Sequence, residues 1–315
     1  PEGSLMSKSK PGVYVSVIMA MIFWGFTFVA FKFAYLSFRP ITIVTFRLAV
    51  SIFFLFGFAL LFKRLNKIKR KDQKWFLLLA LVEPFFYFLG EAYGLTRVTA
   101  TVGAVIISTI PLIVPFAAYY LFREKLTPMN YLGLAISFAG VLMVVLTKSG
   151  GLAADWRGVL LMFVAVISSV SYTMIVKILA EDYTPITITA YQSFYGLIMF
   201  IPLFLIMEIP HLDFSRVSTN SLLAVSYLGV FGSGICFILI TIGIRELGAA
   251  RANIFGNLIP VVAAIVSFFV LKEAMPLFKI LGIIVVILGL FLSQISSLRV
   301  KSSVGRESVR HIPNA

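Results

Sequence analysis

Apolar residues in this chain do not alternate with polar ones at the period of a half-buried strand or a surface helix. They run in near-continuous blocks, parted by short stretches of charge, proline and glycine. A helix that crosses a hydrocarbon core ~30 Å thick needs about 20 predominantly apolar residues. Ten such windows are predicted, at 13–36, 40–62, 75–93, 101–122, 130–147, 158–177, 186–207, 221–244, 252–271 and 278–298. Because nine more blocks follow the first, it reads as a spanning helix and not as a cleaved signal peptide. The expected fold class is all-α: a polytopic membrane protein of ten transmembrane helices.

Composition agrees, with 60% hydrophobic and 13% charged residues. The formal charge of +14 does not imply nucleic acid, because the basic residues lie between and beyond the apolar blocks instead of along one face. They act as topology signals. Short cytoplasmic loops carry the excess of Lys and Arg, and the densest group, Lys63, Arg64, Lys67, Lys69, Arg70, Lys71 and Lys74, follows the second block. With both termini placed in the cytoplasm, the outer loops keep only Arg39, Arg97, Lys148, Arg157, Arg216, Lys272 and Lys279. Cys236 is the single cysteine and sits inside an apolar block, so neither a disulfide nor a metal-ligand spacing is expected. No phosphate-binding Gly-Lys-Ser/Thr loop is present, and His211 and His311 fall outside the windows. An enzyme is therefore not expected, nor any cofactor.

The chain also repeats itself. Residues 40–43 and 185–188 read Pro-Ile-Thr-Ile at an offset of 145, which also brings Lys32 onto Lys177. Further on, an offset of 149 superposes Gly94 on Gly243, Pro111 on Pro260, Glu124 on Glu273, Gly133 on Gly282 and Gly140 on Gly289. Two five-helix repeats are predicted over 13–147 and 158–298. They are joined by a linker at 148–157 and flanked by an N-terminal tail at 1–12, whose first residues read as tag-derived, and a cytoplasmic tail at 299–315. A repeat with an odd number of spans enters the membrane from the opposite side the second time. The halves are thus expected to be inverted, the symmetry that lets one module take two conformations in alternating access.

Several short motifs now converge. Trp24–Gly25 with Phe28 and Lys32, Arg47–Leu48, Ala92 to Leu95, Pro111 and Pro260, and the acidic Glu124 and Glu273 resemble the drug/metabolite transporter superfamily in its ten-helix EamA type, over nearly all of 14–294. The resemblance implies a secondary carrier with a central cavity between the halves. Such carriers usually export small metabolites such as amino acids across a bacterial inner (plasma) membrane. The expected partners are a small-molecule substrate and the lipid bilayer. A passive channel or lipid flippase is the alternative, and a membrane-embedded enzyme is a weaker one. Substrate identity and oligomeric state are left open.

Polar residues within the windows supply the candidate site. Pro111 and Pro260 break the fourth and ninth helices and free the carbonyls of Ile107 and Gly256, which in lipid favours a hydrated cavity beside them. Asn253 and Asn257 share a face one turn before Pro260, and Ser108 is the repeat partner of Asn257. Trp24, Tyr87, Tyr191 and Gln192, the last being the repeat partner of Arg47, complete the expected lining. Arg47 lies roughly 10 Å inside the second helix, where a charge costs at least ~2.5 kcal/mol unless paired or hydrated. Glu91 is at the matching depth. Glu83, beside Pro84 near mid-membrane, is the candidate for proton coupling, the other reading being a permanent ion pair. Lys32, about four residues from its helix end, serves equally as an interfacial anchor or a ligand-binding group.

Overall fold

The computed structural model describes residues 11–61, 65–124, 126–145, 155–213, 215, 217–289 and 292–293. All regular structure among them is helical. In chain order the elements are α1 (Pro11–Ala34), α2 (Pro40–Leu61), α3 (Arg70–Leu95), α4 (Ala100–Phe122), α5 (Pro128–Val145), α6 (Trp156–Leu179), α7 (Pro185–Met207), α8 (Thr219–Leu247), α9 (Ala249–Val270) and α10 (Leu277–Gly289). Eight of them, all but α5 and α10, are established among the described residues as long and apolar enough to cross a membrane. The tails, most of the linker and the expected far ends of the fifth and tenth spans lie outside the described residues.

Helix starts follow local chemistry. Thr99, Thr184 and Ser218 cap α4, α7 and α8 by accepting from the amides of Val102, Thr187 and Ser221, and proline opens α2, α5 and α7. Asp155 caps α6. The Arg157 amide, and then the Arg97 guanidinium at 3.0 Å, hold its carboxyl below the usual carboxylate range.

Four helices are interrupted, and the interruptions come in repeat-related pairs. In α3 the α-helical ladder gives way over Leu81–Phe86, where Glu83 leaves helical geometry and Pro84 lacks an amide donor. In α8 it gives way over Leu228–Ile235, the glycine-rich counterpart. The fourth helix breaks at Ser108 and Thr109 and the ninth over Phe255–Asn257, each one turn before its proline. Sequence alone points to the breaks at Pro111 and Pro260 but not to the one in α3, nor to the one in α8, which contains no proline. There, glycines without side chains let α2 and α1 approach too closely for a regular ladder. Their Cβ positions would fall 2.6 Å from Val50 Cβ at Gly229 and 2.9 Å from Thr27 Cγ2 at Gly232.

The helices pair across the halves. The second packs on the seventh, the fourth on the ninth, α3 on α6 and α8 on α1. The fifth and tenth cross where Gly133, Gly140 and Gly289 leave no space for a side chain, their Cβ positions falling within 2.4–2.6 Å of the facing backbone. The end of α4 lies at the start of α9, with Glu124 accepting from the Ala249 and Ala250 amides at 3.1 and 3.0 Å. The end of α9 lies at the start of α4, with Thr101 Oγ1 donating to Glu273 at 2.6 Å. These two helices therefore run antiparallel. Outward surfaces are apolar: Phe53 and Leu61 are each 82% exposed and Ile206 75%, an arrangement suited to lipid and costly in water.

Candidate functional site

Where the broken helices face one another, a cavity lies between the halves. It is lined from α1, α2, α3 and α4 of the first half and from α6, α8 and α9 of the second. Counted together with the solvent space it opens to, its volume is about 640 Å³, of which only about 50 Å³ is room for water-sized groups. The cavity is thus tight, with room for a few waters or one small group as it stands.

Its charged lining consists of Arg47, Glu83 and Glu91. Arg47 is 3% exposed and Glu91 6%, and their Nη1 and Oε2 atoms stand 3.2 Å apart. Arg47 Nε also donates to Ser233 Oγ at 2.9 Å, and the guanidinium lies 4.0 Å from the centre of the Phe88 ring. Tyr87 donates to the other Glu91 oxygen at 3.1 Å. Gly232 leaves room beside this cluster, since a Cβ there would sit 3.1 Å from Arg47 Nη2. The repeat thus carries Glu83 in one half and, at the equivalent position, a glycine that admits the guanidinium in the other.

Glu83 is 3% exposed and stands at the break in α3, close to Ser169 of α6. Among the described residues it forms no ion pair, and its Oε2 is buried without a hydrogen-bond partner. Leaving such a group unsatisfied costs about 1–3 kcal/mol, more if it is charged.

Of the expected lining residues, Trp24, Tyr87, Asn253 and Pro111 face this cavity and the others do not. Ser108 donates to Val105 O of its own helix. Asn257 donates from Nδ2 to Ser137 Oγ of α5 at 2.6 Å, which joins the ninth helix to the fifth. Tyr191 packs among the rings of Phe56 and Phe76, and Gln192 is buried on α7, which contributes nothing to the lining. Pro260 is buried while its break places Gly256 on Pro111, 3.1 Å from Cβ position to ring. Lys32 lies away from the cavity and donates to the carbonyls of Leu95 and Val98. Its repeat partner Lys177 pairs with Glu124 at 3.1 Å.

Sequence reasoning did not single out Ser169, Thr173 or Phe237 as lining. The stretch from Ser168 to Thr173 is the most polar within α6, and Ser169 and Thr173 share a face at i, i+4 spacing. That was the available signal.

Residues 12–146 and 156–295 match the EamA-like transporter family, one copy in each half. The uncharacterized transporter YetK of Bacillus subtilis is 26% identical over 297 residues, covering 93% of this chain and 90% of its own length. An uncharacterized transporter of Archaeoglobus fulgidus is 28% identical over 283 residues, covering 89% and 97%. A protein crystal structure superposes with a TM-score of 0.74 over 93% of this chain and 99% of its own, at 15% identity, a likeness of fold alone.

Proposed function

Because the chain belongs to the EamA-like transporter family, we propose that it is a secondary carrier that exports metabolites of amino-acid size by alternating access. The observation that carries this reading is the cavity between the halves, lined from both of them and holding a buried carboxylate with one oxygen free of any hydrogen-bond partner. A carrier occludes its substrate between two gates, whereas a channel needs a continuous path. Contacts at both ends of the cavity support the carrier: Glu273 with Thr101 at one, Glu124 with Lys177 and the first amides of α9 at the other.

In this reading the chain has ten spans in two inverted five-helix repeats, 13–147 and 158–298, in a bacterial inner membrane with both termini in the cytoplasm. The antiparallel course of α4 and α9 supports the inversion. Reporter fusions after Lys71 and after Lys301 are expected to report the cytoplasm, and one at Leu152 the exterior. A cytoplasmic signal at Leu152 would remove the five-plus-five arrangement.

Glu83 is the group that couples transport to protons. The charged and titratable groups around it are Arg47 of α2, Tyr87 and Glu91 of α3 and Tyr172 of α6. Arg47 and Glu91 close on each other, which leaves Glu83 free to exchange a proton for a ligand. In proteoliposomes preloaded with a mixture of amino acids, their decarboxylated amines and nucleobases, labelled substrate is expected to enter by saturable counterflow and to accumulate when the interior is made acidic. Flux that neither saturates nor shows counterflow would identify a passive channel. Counterflow without any response to the pH gradient would leave a facilitator.

A further inference from the structure

We infer that the ligand of this cavity is an organic monocation that carries no carboxylate, its ammonium held by Glu83 and its body by the aromatic wall. The inference rests on the carrier reading and narrows its substrate class. The fixed charges of the lining reduce to one. Arg47 is engaged through Nη1 by Glu91 at 3.2 Å and through Nε by Ser233 at 2.9 Å, with the Phe88 ring centre 4.0 Å from the guanidinium. Glu91 is in turn engaged by Arg47 and Tyr87. What remains is Glu83, buried, without an ion pair among the described residues and with Oε2 lacking a donor.

Four side-chain donors along the wall are already used. Trp24 Nε1 donates to Gly232 O, Thr27 to Trp24 O, Thr173 to Ser169 O and the Asn253 amide to Ala249 O. These four donors are turned back onto the protein, and the buried lining atoms without a partner are Glu83 Oε2, an acceptor, and the Tyr172 hydroxyl. A ligand that donates, as an ammonium does, completes the site. A ligand carboxylate would have to draw Arg47 away from Glu91 and would meet two carboxylates on entering. Lys32 offers no substitute, since it is held outside the cavity by the Leu95 and Val98 carbonyls.

The apolar part of the wall suits the same ligand. Phe237 takes Trp24 and Tyr172 edge-on, with ring centres 5.3 and 5.4 Å away, so three rings form one continuous surface in the cavity. Ring faces attract cations and cover hydrocarbon with equal ease.

The test compares ligands that differ only in the groups at issue. Isothermal titration of the detergent-purified protein uses isobutylamine against valine, phenethylamine against phenylalanine, and 2-phenylethanol as the uncharged analogue. The amines are expected to bind at least about tenfold more tightly than the corresponding amino acids and than the alcohol. Glu83→Gln is expected to remove at least about tenfold of the amine affinity and to leave the alcohol unchanged. If that variant fails to fold, Glu83→Asp keeps the charge and is expected to retain amine selectivity, and the wild-type series decides the question by itself. Amino acids that bind as tightly as their amines, or an alcohol that equals the amine, would overturn the inference while leaving the carrier reading intact. Binding of none of the five would also overturn it, and the carrier reading would then stand or fall on the counterflow measurement with mixed substrates.

Discussion

Glu91→Gln should be among the most destabilising single substitutions in the chain, with an expected loss of about 3 kcal/mol or more. Removing one member of a buried ion pair strands the other, at a cost of about 3–5 kcal/mol, and the stranded member here is a guanidinium that does not deprotonate. Arg47 would keep Ser233 and the Phe88 ring, which places the expectation at the lower end of that range. The converse change, Arg47→Met, should cost less, because Glu91 can take up a proton and keep its bond from Tyr87. Replacing both, as Arg47→Met with Glu91→Met, should recover much of the loss, since well-packed apolar groups often substitute for a buried pair at little cost. The readout is built in. Cys236 is the single cysteine of the chain and fully buried, so a thiol-reactive fluorophore reports unfolding in detergent. If Glu91→Gln unfolded no earlier than Arg47→Met, the pair would not be the electrostatic brace described here.

Glutamine at Glu273 and glutamine at Glu124 are expected to drive the protein toward opposite open states. Glu124 spans two backbone amides at the start of α9 and also meets Lys177. Glutamine retains one acceptor oxygen, turns an NH₂ group toward the second amide and releases the lysine. Glu273 accepts from Thr101 at the start of α4, with Lys279 Nζ 3.7 Å away. Hydrogen bonds to charged groups contribute about 1.5–3 kcal/mol, which corresponds to roughly 10- to 100-fold in a two-state equilibrium. A cysteine at the cavity residue Asn253, in a Cys236→Ser background, can be labelled by an impermeant maleimide from either side of the membrane. Glu273→Gln should raise labelling from the side where Lys32 lies, and Glu124→Gln from the side where Lys177 lies. If both raised it from the same side, or neither did, the two contacts would not act as opposed closures.

Membrane class, the two repeats and several of the helix breaks can be read from the sequence because each rests on local physics. Length and apolarity define a span, and a proline removes a backbone bond wherever it stands. The pairing of Arg47 with Glu91 also follows from residue rise and depth alone. The lining of the cavity is legible only in part. Tyr191, Gln192 and Asn257 are polar groups in apolar helices, which sequence reasoning directs to the cavity. Which face of a helix meets the cavity and which meets another helix is decided by neighbours distant in the chain. Asn257 satisfies its amide on Ser137, 120 residues away, and Tyr191 is absorbed by a cluster of rings. Gly232 posed the reverse problem, since its contribution is the space it leaves for the Arg47 side chain.

The closure of Arg47 on Glu91 has an electrical consequence. Moving one elementary charge through 100 mV changes its energy by about 2.3 kcal/mol, so fixed charges carried by moving helices make a transport cycle sensitive to voltage. Here two of the three cavity charges cancel within 3.2 Å of each other, which leaves Glu83 as the cavity charge on which the membrane potential can act. With a proton on that carboxylate the empty centre is neutral, and with a monocation on it the loaded centre is neutral as well. If Glu83 exchanges a proton for a monocation as proposed, the same voltage neither drives nor resists the movement of the cavity charge in either half of the cycle, and the direction of net movement follows from the ratio of ligand to proton on the two sides.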